Sequence, residues 1–183
     1  KSLYGVDIDQ GAVEICKLRL WLSLIVDEED IKKIKPLPNL DYKIVCGNSL
    51  LGVELNLFTQ KAFNQLEELK PLYFSETNVR KKQYYKSQID KLISQITNGH
   101  KDFDFEVYFS EVFHKKKGFD IVIANPPYIG EKGHKEMFRE IKNGRLKKFY
   151  QGKMDLFYFF FHLALNLGNN NSQVALITTN YYL

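Results

Sequence analysis

Apolar positions along the chain fall into strand-like runs and helix-like stripes that alternate. Residues 119–124, Phe-Asp-Ile-Val-Ile-Ala, form a nearly unbroken apolar run. That pattern predicts a short strand buried on both faces, as in a parallel sheet. Residues 3–9 read as a strand ending in acid, residues 42–46 as another ending in Gly47-Asn48-Ser49-Leu50, and residues 174–178 as a last one. Between them lie helical patterns. Residues 12–26 are apolar on most sides, which predicts a helix packed on the sheet and on a further element. Residues 58–69 and 79–96 carry helical spacing, clearest at Tyr85, Ile89, Leu92 and Ile96. Pro71 is expected to separate these two segments and Asn98-Gly99 to close the second, giving a helical hairpin inserted between strands. Residues 153–167 predict a strongly apolar helix with Asp155 at its electropositive start. Residues 168–171 follow as its C-cap and turn. Phe103, Phe105, Val107 and Phe109 alternate with polar residues, so that stretch is expected to be extended. Residues 28–39 and 129–151 are polar and read as long loops. Strands alternating with helices predict an α/β fold.

The strand at 119–124 stops at Asn125-Pro126-Pro127-Tyr128. Two consecutive prolines lack N–H donors and fix φ, so the strand cannot continue through them. The sequence thus presents an amide, two rigid carbonyls and an aromatic ring at a strand's carboxyl end, where open α/β sheets bind ligands. The Asn125 side-chain carbonyl and the Pro126 backbone carbonyl suit an sp2 amino group, which offers two N–H donors. Accepting both bonds leaves the nitrogen lone pair less delocalised and readier to attack an electrophile. The Tyr128 ring offers a face for stacking a planar group, worth roughly 1–3 kcal/mol for a base. A plain Asn-Pro turn is the competing reading.

Composition adds bounds. The chain has 183 residues, 44% hydrophobic, enough for one globular domain with a core. Its formal net charge of +4 permits nucleic-acid binding without requiring it. The basic runs at 32–33, 80–82, 115–117 and 147–148 are ordinarily solvated surface. Cys16 and Cys46 lie far apart without CxxC spacing and are expected to be small core residues in a reducing compartment. Residues 157–167 are apolar but too short to span a membrane. A cytoplasmic location is expected.

Asn-Pro-Pro-Tyr after an apolar strand resembles the catalytic motif of amino-group methyltransferases that use S-adenosylmethionine. The closest resemblance is to DNA adenine-N6 methyltransferases, especially the modification regions of type IIG restriction–modification enzymes, and it covers nearly the whole chain. The Phe-rich approach ending Phe-Ser-Glu-Val-Phe (residues 109–113) and the Asp155-Leu156-Phe157 phrase resemble the same group. The resemblance implies a Rossmann-like class I methyltransferase fold and S-adenosylmethionine as cofactor. It implies Asn125, Pro126 and Tyr128 as catalytic residues. Gly5-Val6-Asp7-Ile8 resembles the motif whose acid holds the cofactor ribose, so Asp7 and Ile8 are expected in the cofactor site, with Asp9 as a competitor that equally reads as a helix N-cap. Asn48 and Ser49 match the position that meets the cofactor adenine, where many members carry Asp; an amide oxygen can accept the same bond. Asn125 is expected to border the cofactor as well. The acceptor implied is an adenine swung out of double-stranded DNA, and no metal is needed.

The resemblance also implies residues 1–53 and 101–183 as parts of the methyltransferase domain and residues 54–100 as an insertion. The first strand and Gly-rich cofactor loop of such enzymes have no counterpart before Asp7. The chain therefore reads as a fragment of a larger enzyme with an upstream cofactor loop and a recognition domain, the presence of a nuclease being left open. Alone it is expected to bind cofactor weakly, to be inactive, and to offer unpaired strand edges. Basic residues at 134–148 suggest a mobile loop gripping phosphates, or an ordinary connection. The insertion is either a DNA-backbone contact or an amphipathic packing element. Three rival functions keep part of the pattern: methylation of a glutamine amide, methylation of an RNA amino group, and a non-catalytic DNA-binding module.

Overall fold

A computed structural model describes residues 2–26, 40–53 and 56–180. The charged stretch at 28–39 lies outside these residues. The chain divides into two compact units, residues 1–49 and 50–183.

The first unit contains β1 (Gly5–Asp7), α1 (Gln10–Ile25) and β2 (Ile44–Cys46). β1 and β2 pair in parallel, with Asp7 opposite Cys46. Asp9 starts α1: its side chain accepts a hydrogen bond from the Ala12 N–H at 2.7 Å, satisfying one of the donors that a helix start leaves unpaired. The helix is less buried than its apolar sequence predicts, because Ile15, Leu18 and Leu22 are exposed. Cys16 is exposed too, and Cys46 is half-buried with its thiol donating to the Ile8 carbonyl. Neither is the core residue expected.

The second unit begins with two long helices, α2 (Leu57–Ser75) and α3 (Val79–Ile96). Pro71 does not divide them. It sits inside α2, which continues to Ser75 despite the missing N–H donor and the crowding of the preceding turn by the ring. The break comes at Asn78, whose side chain accepts from the Arg80 and Lys81 N–H groups. α3 occupies the residues its spacing predicts and buries Ile89, Ile93 and Ile96.

The aromatic stretch that follows is helical, not extended. It forms α4 (Phe105–Tyr108) and α5 (Ser110–Lys116). Asp104 caps α4 by accepting from Glu106 and Val107 N–H, and Phe103, Phe105, Tyr108 and Phe109 are all buried. Their rings pack edge to face or stacked with centroids 5.0–6.4 Å apart, within the favourable range for aromatic pairs. Alternation mimicked a strand here, because four rings drawn into one cluster need no single sheet face. Lys117 then adopts a left-handed conformation (φ 57°) and Gly118 follows at φ 135°. A Cβ on Gly118 would come within 2.7 Å of the Leu167 carbonyl oxygen, so only glycine admits this turn.

β3 (Phe119–Ala124) pairs in parallel with β4 (Gly168–Leu176), which α7 (Leu156–Leu167) enters directly. α7 starts later than residue 153. It buries Leu156, Phe157, Phe159, Leu163, Ala164 and Leu167. Register jumps between the Phe119–Gly168 and Ile121–Gln173 pairs. The predicted turn at 168–171 survives as this irregularity inside the strand, held by Asn169 donating to Asp120. β3 is not buried on both faces: Ile121 and Ile123 are 66% and 74% exposed. With β4 as its sole partner among the described residues, the strand is packed on one face only.

Candidate active site

β3 and β4 run parallel, so both carboxyl ends lie at one edge. There the Ile177 N–H donates to the Ala124 carbonyl at 3.0 Å, which sets residue 177 beside the start of the Asn-Pro-Pro-Tyr segment. Asn125 is exposed, Pro126 buried, Pro127 exposed and Tyr128 52% exposed. The Tyr128 hydroxyl donates to the Ile177 carbonyl at 3.0 Å. One end of the ring is thereby tied to the sheet, while much of its surface stays open. The local logic is in the sequence: β-branched residues carry the strand to Ala124, the prolines end it, and Tyr128 reaches back to the neighbouring strand.

The segment after Tyr128 is not a free loop. Leu156 N–H donates to the Ile129 carbonyl at 2.8 Å and Glu131 N–H to the Met154 carbonyl at 3.0 Å, and Gly130 bridges Asp155 in antiparallel fashion. A Cβ on Gly130 would stand 2.7 Å from Asp155 Oδ1. Asp155 occupies the N-cap position of α7 but makes no side-chain capping bond. Residues 131–153 make an excursion containing α6 (Lys135–Asn143) and a short 3-10 turn (Lys147–Phe149). α6 buries Phe138 and Ile141. The long polar loop expected here thus contains two helical segments.

Glu131 closes the base of that excursion. Its carboxylate accepts from Lys142 Nζ at 2.8 Å, the Tyr150 hydroxyl at 2.7 Å and the Lys153 N–H at 2.8 Å. The bonds from Lys142 and Tyr150 hold its carboxyl down at about 2, and the Glu131 carboxylate in turn raises Lys142. Lys142 also sits over the Tyr150 ring, 4.3 Å from its centroid. Sequence reasoning assigned Glu131 no role; its partners lie 11 to 22 residues downstream, and no spacing rule connects them. His134 is exposed and lies 3.3 Å from the Gly130 carbonyl.

In the first unit, Asp7 and Ile8 end β1 and are exposed, while Asn48 and Ser49 follow β2 and are half-buried. The Gly47 N–H donates to the Asp7 carbonyl at 2.9 Å, so the two predicted cofactor-binding segments are neighbours at one edge of this sheet. Asp7 Oδ1 accepts from the Asp9 N–H at 2.8 Å, which orients the carboxylate. Among the described residues, no group of three or more His, Cys, Asp or Glu side chains is arranged to hold a metal ion, and no helix is long and apolar enough to cross a membrane.

Comparison with known proteins places these features in a family. The family described as Eco57I restriction-modification methylase matches residues 1–183. A protein of Methanocaldococcus jannaschii, provisionally named a type II restriction enzyme and methyltransferase, is 59% identical over 54 residues. That match takes in 28% of this chain and 5% of the archaeal protein. No solved structure matches the chain.

Proposed function

Because the chain belongs to the Eco57I restriction-modification methylase family, we propose that it carries the amino-methylating residues of a restriction–modification enzyme that modifies adenine N6 in DNA. The observation that supports this most is the Asn-Pro-Pro-Tyr segment at the open carboxyl end of β3, with an exposed Asn125 amide beside a tethered, half-open Tyr128 ring. Amino groups inside a stacked duplex are out of reach, so the target base swings out. Its ring stacks on Tyr128. Its amino group donates one N–H to the Asn125 side-chain oxygen and the other to the Pro126 carbonyl. These two acceptors hold the nitrogen with its lone pair directed out of the base plane, and the alignment itself supplies much of the rate. The amine releases its proton after attack, so no general base is assigned, and His134 has no role.

S-adenosylmethionine, when bound, supplies the electrophilic methyl group. The residues present fit it. Asp7 offers an exposed carboxylate, oriented by the Asp9 N–H, for a ribose hydroxyl pair. Asn48 and Ser49 offer amide and hydroxyl groups for the adenine edge, and Ile8, 70% exposed, offers an apolar cover. Asn125 borders the methyl group because it holds the attacking nitrogen. A Rossmann-like arrangement of the complete enzyme belongs to the same proposal.

The test uses the full-length protein with labelled S-adenosylmethionine and unmethylated DNA, followed by hydrolysis to nucleosides. N6-methyladenine is the expected product. Asn125→Ala should lower kcat by roughly 100-fold or more, the scale seen when one precisely aimed polar group is removed from an active site, with an unchanged circular dichroism spectrum. Label on RNA or on a protein glutamine, or an Asn125→Ala variant of near-normal activity, would overturn the proposal.

A further inference from the structure

Of the helices, α3 carries the largest surplus of positive charge. α3 carries Arg80, Lys81, Lys82, Lys86 and Lys91 against a single acid, Asp90. That surplus of four equals the formal net charge of the whole 183-residue chain, so the other residues balance to zero. α2, its hairpin partner, is neutral: Lys61 and Lys70 match Glu67 and Glu68.

Two of these five cations lie on one exposed stripe, while Lys82 sits over the Tyr73 ring. Arg80, Tyr84, Ser87 and Lys91 are all exposed and follow one another at steps of four, three and four, which places them on one helix face. Ile89, Ile93 and Ile96 are buried on the opposite face. From Arg80 to Lys91 the stripe runs about 16 Å at 1.5 Å per residue. Successive phosphates of one DNA strand rise roughly 3.4 Å along the axis, so the stripe spans four or five of them. Lys81 lies beside it, exposed. The start of the helix adds apolar surface: Val79 is 75% exposed and Tyr84 61%. Glu76, the nearest acid in the hairpin turn, is occupied as an acceptor of the Thr77 and Asn78 N–H groups.

We propose that this stripe of α3, Arg80–Tyr84–Ser87–Lys91 with Lys81, is a contact surface for the sugar–phosphate backbone of duplex DNA. The identity of the partner rests on the DNA substrate proposed above; the basic, exposed character of the surface does not. Contacts of this kind position a duplex and carry no sequence information. The insertion would therefore raise affinity for all duplexes alike and leave the choice of site to other parts of the enzyme.

The experiment measures binding of the full-length protein to a fluorescein-labelled duplex by anisotropy, across a salt series and without cofactor. It compares Arg80→Gln/Lys91→Gln with Lys61→Gln/Lys117→Gln, a control pair of exposed lysines outside α3. Each phosphate contact contributes about 0.9 to the slope of log K against log salt. The α3 pair should therefore lower the slope by about 2 and weaken binding roughly tenfold or more at 0.1 M salt, equally for different sequences. The control pair should do neither. Equal slopes for the α3 variant and the unaltered protein would overturn the proposal while leaving the methylation reading intact. A reduced slope in a protein that methylates no adenine would uphold the contact surface and overturn the methylation reading. Unchanged DNA binding with weakened binding to phosphatidylserine vesicles would assign the surface to a membrane face and overturn the proposal.

Discussion

Lys70 tests the packing of the helical hairpin most directly. Its side chain is wholly buried. The ammonium donates to the Val107 carbonyl at 3.2 Å, to the Tyr108 carbonyl, and to Glu111 Oε2 at 3.3 Å. It thereby joins α2 to the carbonyls at the end of α4 and to α5. Lys70→Met keeps the length and most of the volume of the side chain, so little cavity forms. What is lost is polar pairing. Two backbone acceptors lose a donor, and Glu111, whose side chain is 15% exposed, is left as a nearly buried carboxylate without its cation. Breaking a buried ion pair from one side costs about 3–5 kcal/mol, a large part of the 5–15 kcal/mol that typically stabilises a domain. Urea unfolding of Lys70→Met should show that loss. Adding Glu111→Leu should recover part of it, with a coupling of roughly 1 kcal/mol or more in the double-mutant cycle. The sign of the pH effect is also defined. Burial pushes the Lys70 pKa below its ordinary 10.5, against the opposing attraction of Glu111 and Glu67. Between its folded value and 10.5 the unfolded chain binds the extra proton, so stability from this group rises with pH across that window. Lys70→Met should flatten that rise. A loss below about 1 kcal/mol, or additive single and double variants, would refute the network as described.

Glu131 should show a pH dependence of the same sign in the acid range. Its carboxyl is held at about 2 in the folded protein against an ordinary 4.5, so its stabilisation is complete above 4.5 and lost as pH falls from there toward 2; acid unfolding of Glu131→Gln should lack that component, and identical acid profiles would exclude it. Phe138 is fully buried and packs edge to face on Phe159 with centroids 6.0 Å apart, so Phe138→Ala should destabilise by about 3–5 kcal/mol in thermal or urea unfolding. Gly118→Ala should prevent the α5–β3 turn from closing on Leu167, read as loss of soluble, cooperatively unfolding protein.

What could be read from the sequence depended on how local its cause was. α3 was legible to the residue, because apolar spacing acts within one helix. β3 and its abrupt end were legible for the same reason, since proline stops a strand whatever surrounds it. The approach to β3 was misread because alternating aromatics obey two rules at once. The Asp104 cap, three residues before Val107, was the signal that decided for a helix. The exposure of Ile121 and Ile123 could not be read, as it depends on which strands and helices flank β3.

The candidate site divides along the same line. Asn125 and Tyr128 announce themselves, because a rigid turn after a strand is a local event. The groups that hold that turn in place do not. Ile177 reaches the Tyr128 hydroxyl from 49 residues away, and Glu131 gathers Lys142, Tyr150 and Lys153 into one cluster. These side chains bear no motif because their task, fixing both ends of the Asn-Pro-Pro-Tyr segment against β4 and the start of α7, can be met by many residue pairs in many registers. The amino-group chemistry proposed for Asn125 admits far fewer solutions. That difference in degeneracy explains why the Asn-Pro-Pro-Tyr segment is recognisable in isolation while its supports emerge only when the chain is folded. It also sets the order in which substitutions should act: Asn125→Ala should reduce turnover in a stable protein, whereas Glu131→Gln should first lower acid stability and only through it the fraction of active enzyme.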